Sequence, residues 1–270
     1  MKNRLFTRNF LAHSIGFSIA FWCGAAPFCL AQRSEAGSDK QFQQSPTLER
    51  TADASSSPLK PGLNDEFLDP NLKIDQWLGR FEVESREVFS SREKILELCE
   101  LRLGMRVADI GAGTGFYSRL FSSHVGDGGW VYAVDISGKF LKHINAQAQK
   151  EDISNLTSVF CTDNSCRLPP ESVDLVFICD TYHHFEHPQA TLASILSALK
   201  PGGMLVLIDF ERIPGKSREF IIGHVRAGKE VFQREVVESG FRFVEEIKLT
   251  ELIENYFLRF RKPKDVLTGE

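Results

Sequence analysis

The chain has 270 residues, 42% of them apolar and 25% charged, a globular composition with room for one large domain and an appendage. Its net charge is −4, and because the first 31 residues hold Lys2, Arg4 and Arg8 but no acid, the remainder stands at −7. An acidic body without a basic run argues against nucleic acid or an anionic membrane surface as the main partner and leaves a small molecule as the first candidate.

Residues 1–31 read as a targeting segment: a basic start, a mostly apolar stretch from Phe10 to Leu30, and small residues for cleavage around Cys29-Leu30-Ala31. The alternative is an uncleaved membrane anchor, since the stretch is about long enough to span. His13, Gly24 and Pro27 weaken it as a lasting span and favour cleavage. The domain is then exported, periplasmic or secreted, touching membrane only through an uncleaved anchor; it stays cytoplasmic if the signal is not used. Residues 32–62, rich in Ser, Gln, Pro and charge, cannot bury enough surface to offset their ordering entropy and are expected to form a disordered tether. Residues 63–262 form the main domain, followed by a tail, 263–270.

Within the domain, Asn64 to Arg80 is dense in apolar residues, and Glu84 to Leu101 carries Val88, Ile95 and Cys99 at helical spacing. Val107 to Leu120 (VADIGAGTGFYSRL) reads as a buried strand, a glycine turn and the start of a helix. Asp109 is a carboxylate in an otherwise apolar strand. It would repel a phosphate and welcome an ammonium or a hydrogen-bond donor, which points to a cationic, amino-acid-bearing nucleoside. Trp130 to Asp135 is a second strand ending in an acid, suited to gripping two ribose hydroxyls, and Ser137 can cap the helix after it. Thr157 to Cys161 and Ser172 to Cys179 read as further strands; the second ends in Asp180-Thr181-Tyr182-His183-His184-Phe185-Glu186-His187. Pro188 opens a helix, Lys200-Pro201-Gly202-Gly203 turns the chain, and Met204 to Phe210 is a strand. Two helical pieces broken near Gly228 and a closing strand pair, Phe241 to Ile247 and Tyr256 to Arg261, complete the domain. Cys99, Cys161, Cys166 and Cys179 lack metal-site spacing; Cys161 and Cys166 lie close enough in sequence for the disulfide that export would permit.

The acidic-x-Gly-x-Gly-x-Gly turn, the acid ending the second strand and the Leu199-Lys200-Pro201-Gly202-Gly203 turn together resemble the Rossmann-like (class I) S-adenosylmethionine-dependent methyltransferases, over about Phe81 to Arg261. The resemblance implies an α/β fold: a doubly wound, mostly parallel seven-stranded sheet with an antiparallel last hairpin. It implies S-adenosyl-L-methionine as cofactor and a small-molecule methyl acceptor. Asp109, Gly111, Ala112, Gly113 and Gly115 would surround the methionine part, Asp135 with Ile136 the ribose, and Asp163 with Asn164 the adenine. Just past the fourth strand, Asp180, His183 and His184 are the candidates for proton handling, and Tyr182 and His224 for substrate contact. Trp77, Phe81 and Phe89 are either a lid over the cofactor or plain core aromatics. His183, His184 and His187 could supply metal ligands, but adjacent histidines diverge in regular structure, so no metal is expected. A nicotinamide dehydrogenase fits poorly, since the third glycine comes one residue early and Asp109 intrudes. An exported, non-catalytic binding protein of the same fold stays open as the alternative.

Overall fold

The computed structural model describes residues 62–264; the expected targeting segment and tether, up to residue 61, and the expected tail from residue 265 lie outside the described residues. The elements in chain order are α1 (Asp65–Leu68), α2 (Ile74–Phe81), α3 (Glu87–Ser90), α4 (Arg92–Leu98), β1 (Arg106–Ile110), α5 (Phe116–Val125), β2 (Trp130–Asp135), α6 (Gly138–Lys150), β3 (Leu156–Phe160) and β4 (Val173–Cys179). After a short 3-10 turn at Tyr182–His184 come α7 (Pro188–Ala198), β5 (Leu199–Phe210), α8 (Glu219–His224), α9 (Lys229–Glu238), β6 (Arg242–Ile247) and β7 (Asn255–Arg261).

One seven-stranded sheet runs in the order β3-β2-β1-β4-β5-β7-β6. The first five strands are parallel, and β7 runs antiparallel to both β5 and β6, so the fold class read from the sequence holds. The central strands are mostly apolar because helices cover both faces. Along β1 the side chains alternate: Ala108 and Ile110 join the core beneath α7 and α9, and Val107 joins the core beneath α4 and α5. Asp109 shares Val107's face and so meets α5. The strand order reverses between β1 and β4, the place where an open α/β sheet leaves a crevice at its carboxyl edge.

Three local expectations are corrected. The helix expected over Glu84–Leu101 is two short helices, α3 and α4, parted at Ser91. Ser90 Oγ bonds back to the Glu87 carbonyl, and the Glu87 carboxylate accepts the N–H groups of Ile253 and Glu254, so α3 is held by the β6–β7 connection rather than continuing into α4. Ser137 occupies the N-cap position of α6, but its hydroxyl makes no cap bond; its backbone N–H donates to Asp135 instead. The Lys200–Gly203 turn is an excursion inside β5, where pairing with β4 slips between Val173 and Leu175 and Gly202 (φ +78°) donates its N–H to the Lys262 carbonyl. Among the described residues all four cysteines are free thiols, and no helix is long and apolar enough to cross a membrane.

Candidate active site

Between β1 and α5 the backbone turns on Gly111 (φ +73°) and Gly113 (φ +53°). A Cβ on Gly111 would lie 2.1 Å from the Thr181 methyl, so only glycine fits there. The turn is tied to the next strand: Gly111 and Ala112 donate to the Val134 carbonyl, and Gly113 N–H donates to Asp135 Oδ2 at 2.8 Å. Asp135 Oδ1 accepts from Ser137 N–H at 2.7 Å, so this carboxylate is aimed by the backbone on both sides. Burial nevertheless pushes its pKa up to about 6, against the opposing effect of those hydrogen bonds. Asp109 accepts from Ser118 Oγ at 2.6 Å; burial, with the Asp135 charge added, carries its pKa to about 7. Two buried carboxylates with raised pKa values, one on each side of an open glycine turn, form a site that a positive charge would relieve.

Asp109, Gly111, Ala112, Gly113, Asp135, Ile136 and Asp163 line one cavity of about 1190 Å³ along the carboxyl edge of the sheet. That volume exceeds what one small ligand usually fills and leaves room for a cofactor and an acceptor. Two expected cofactor residues lie elsewhere. Gly115 does not line the cavity; its φ of +77° and the Ile144 side chain, 2.6 Å from where a Cβ would stand, make it a packing glycine between α5 and α6. Asn164 is exposed off the cavity, with its Oδ1 taken by Thr162 Oγ1 at 3.0 Å. Asp163 sits on the exposed rim, its carboxylate 3.5 Å from His187 Nε2. Trp77, Phe81 and Phe89 all line the cavity, and Trp77 and Phe81 also pack with Phe140, so the lid and core readings merge in one aromatic wall.

At the β4 end, the Asp180 backbone is left-handed (φ +47°) and both its carboxylate oxygens are occupied: Arg86 Nη2 donates at 2.6 Å and Asn255 Nδ2 at 2.5 Å. Those bonds suit Asp180 to positioning rather than to accepting a proton. Tyr182, expected against substrate, is wholly buried instead; its hydroxyl donates to Glu235 Oε2 at 2.8 Å, and Arg226 closes that buried cluster beneath α9. The 3-10 turn leaves Tyr182 in the core, while His183 and His184 reach the cavity. His183 Nδ1 lies 2.7 Å from Asp209 Oδ1, and its backbone N–H donates to the other oxygen. His224, from the end of α8, brings its Nε2 to 3.3 Å from His184 Nε2. Burial, with His183 and His224 adding to it, drives the pKa of His184 down to about 2, so that ring is neutral. His187 stands apart, beside Asp163.

Sequence reading misses Arg86, Asn255 and Asp209. Arg86 is one of three arginines, with Arg80 and Arg92, spaced through an aromatic stretch, and its guanidinium covers the Phe81 ring at 4.9 Å. Asp209 had a signal, an acid at the end of an apolar strand, but its partner lies 26 residues away; Asn255 had none, its partner lying 75 residues away.

With this geometry in place, comparison with known proteins gives a coherent result. Residues 108–207 match a family model described as a methyltransferase domain. This segment is thus similar to methyltransferase domains. A ubiquinone/menaquinone biosynthesis C-methyltransferase UbiE from Pseudomonas paraeruginosa is 33% identical over 118 residues, 43% of this chain and 46% of that one. The chain therefore spans about half the length of the curated relatives it matches. Among solved structures, a SAM-dependent methyltransferase from Aquifex aeolicus superposes with TM-score 0.62 at 24% identity, covering 70% of this chain and 98% of that one. Phosphoethanolamine N-methyltransferase 2 from Haemonchus contortus, in complex with S-adenosyl-L-methionine, gives 0.56 at 18% identity, over 71% and 60%. These likenesses establish the fold. The domain places its glycine turn, Asp109 and Asp135 where the sheet order reverses, and the residues present fit S-adenosylmethionine. The backbone of Gly111, Ala112 and Gly113 lines the cavity, and the two buried acids supply the negative charge a sulfonium and an ammonium require.

Proposed function

We propose that the protein is an S-adenosylmethionine-dependent methyltransferase acting on a small-molecule acceptor. The observation that carries this is the pair Asp109 and Asp135, buried on either side of the glycine turn and opening into the cavity that Arg86, His183, His184 and His224 share. When bound, S-adenosylmethionine supplies a methyl group already activated on sulfur. The chain's own residues then bind, orient and dry the site. Asp135 would hold the ribose hydroxyls through the lone pairs its backbone donors leave open, and Asp109 would face the ammonium or sulfonium charge. Asp163, on the rim, would reach the adenine edge, with Ile136 against the ring. Phe67, Trp77 and Phe81 wall the cavity and exclude water, so that alignment rather than a dedicated nucleophile does most of the catalysis.

The acceptor end, over β4 and β5, is walled by Phe67, Phe210 and Phe220 around the three imidazoles and Arg86. That mixture suits a flat, aromatic acceptor bearing an ionisable hydroxyl, in keeping with a relative named for quinone biosynthesis. His183, fixed by Asp209, keeps Nε2 as the proton-accepting atom for such a group. The basic, apolar composition of residues 1–31 supports export of the domain. Incubating the full chain with methyl-labelled cofactor and a panel of phenols and quinols tests the reading. Label should appear in at least one aromatic product; label confined to the cofactor across phenolic and non-phenolic acceptors alike would contradict it.

A further inference from the structure

The ligand nitrogens of His183, His184 and His224 all lie within 4.8 Å of one another at the acceptor end of the cavity, although His224 comes from a different element, 40 residues downstream. The expectation from sequence that adjacent histidines diverge holds for a strand or helix, but the 3-10 turn at Tyr182–His184 lets two consecutive rings lie 4.3 Å apart, centre to centre. The third ring then packs edge-on to both, at 5.0 Å from each.

From this geometry we propose that His183, His184 and His224 bind a divalent transition-metal ion of the zinc class, with a fourth position open to the methyl acceptor. The first support is the spacing. At a metal–nitrogen distance of about 2.0–2.1 Å, two imidazole nitrogens on a tetrahedral ion stand about 3.3 Å apart, and the Nε2 atoms of His184 and His224 are separated by 3.3 Å. A second support is the carboxylate behind His183. Asp209 is fully buried, is held by the backbone N–H groups of His183 and Phe210, and takes the Nδ1 proton of His183. That bond fixes the tautomer with the Nε2 lone pair available, the arrangement by which proteins orient and strengthen a metal-binding histidine. The trio differs from the one suggested by sequence spacing: His187 is replaced by His224, which α8 carries into the cluster.

Three protein ligands and a position open to a cavity are the pattern of a catalytic rather than a structural zinc site. An acceptor hydroxyl or thiol on the ion would lose its proton to water more readily, as metal-bound water does. The ion would then do the work that a lone imidazole base would otherwise do. This use of the ion rests on the methyltransferase reading, whereas its binding does not.

The test takes the full chain, dialysed against chelator, and titrates it with Co²⁺ while following the visible absorption of tetrahedral cobalt; Zn²⁺ is then added as competitor. One cobalt should bind per chain and be displaced by zinc. His224→Ala and His184→Ala should each weaken binding at least about 10-fold with an unchanged far-ultraviolet circular dichroism spectrum, and His187→Ala should bind as wild type. Folded wild type without stoichiometric cobalt binding, or both cluster variants binding as wild type, would overturn the metal site. S-adenosylmethionine binding is measured on the metal-free protein in parallel. Cofactor binding without cobalt binding overturns the metal site and leaves the methyltransferase reading intact; cobalt binding without cofactor binding does the reverse.

Discussion

Asp109 and Asp135 carry the sharpest consequence at the scale of single residues. Each holds its proton to higher pH in the folded protein than in the unfolded chain, because burial disfavours the carboxylate. Their contribution to stability is therefore complete below the ordinary carboxylate range and is lost as pH climbs through about 6 and then about 7. A ligand bearing positive charge needs them ionised, so its affinity should move the opposite way. Between pH 5 and 8 the ligand-free protein should become easier to melt on account of these two groups, while calorimetric affinity for S-adenosylmethionine rises and levels off above neutrality. Flat affinity across that range would detach the two acids from cofactor binding. Gly111 gives a second test. Ala in its place must adopt a left-handed backbone and pushes Cβ into Thr181. The backbone alone costs about 1–3 kcal/mol, so Gly111→Ala should lower the melting temperature by at least several degrees; an unshifted melt would show the turn to be looser than described. Gly115 looks the same as Gly111 in the motif, and only the packed structure shows that Gly115 is needed against Ile144 and Gly111 against Thr181 at the cavity wall.

Among the elements, the parallel strands were the most legible because burial on both faces leaves mostly apolar runs in β1, β4 and the latter part of β5, each carrying a single aspartate. The segment before β1 was less so. Helical spacing in Glu84–Leu101 is genuine, but Glu87 is drawn to the backbone of the β6–β7 connection, 166 residues away, and the helix divides in two. Tyr182 was misplaced for a related reason: no local pattern tells which side of a 3-10 turn meets the buried Arg226–Glu235 pair. The aromatic unit made by α1 and α2 closes the cavity through Phe67, Trp77 and Phe81 packed on Phe140, a cluster separate from the two main cores. Truncating a core aromatic costs about 3–5 kcal/mol when the whole fold depends on it. Trp77→Ala should instead act locally: hydrogen exchange should speed up in α2 while β1 and β4 stay protected, and cofactor affinity should fall. Equal loosening of the sheet would mean that the aromatic unit is part of the main core.

For the whole molecule, the account joins one sheet edge to two chemistries. The β1–β2 side holds a pair of buried acids around a glycine turn, and the β4–β5 side gathers three imidazoles with Asp209 behind one of them. The first half could be read from sequence because its residues sit within one strand–turn–helix unit and at the end of the next strand. The second half was legible only in part: His183, His184 and His224 each stood out in the sequence, but their meeting, with Asp209 behind His183, depends on elements whose position the completed sheet sets. The central claim, that the β1–β2 side is a site for S-adenosylmethionine, is tested most directly by calorimetric titration of the full chain beside an Asp135→Ala variant. Removing a charged acceptor of hydrogen bonds costs about 1.5–3 kcal/mol per bond. Wild type should bind one equivalent, and the variant, folded to the same melting profile, should bind at least about 10-fold more weakly. Folded wild type that releases no heat at any cofactor concentration, or a variant that binds as well as wild type, would contradict the account.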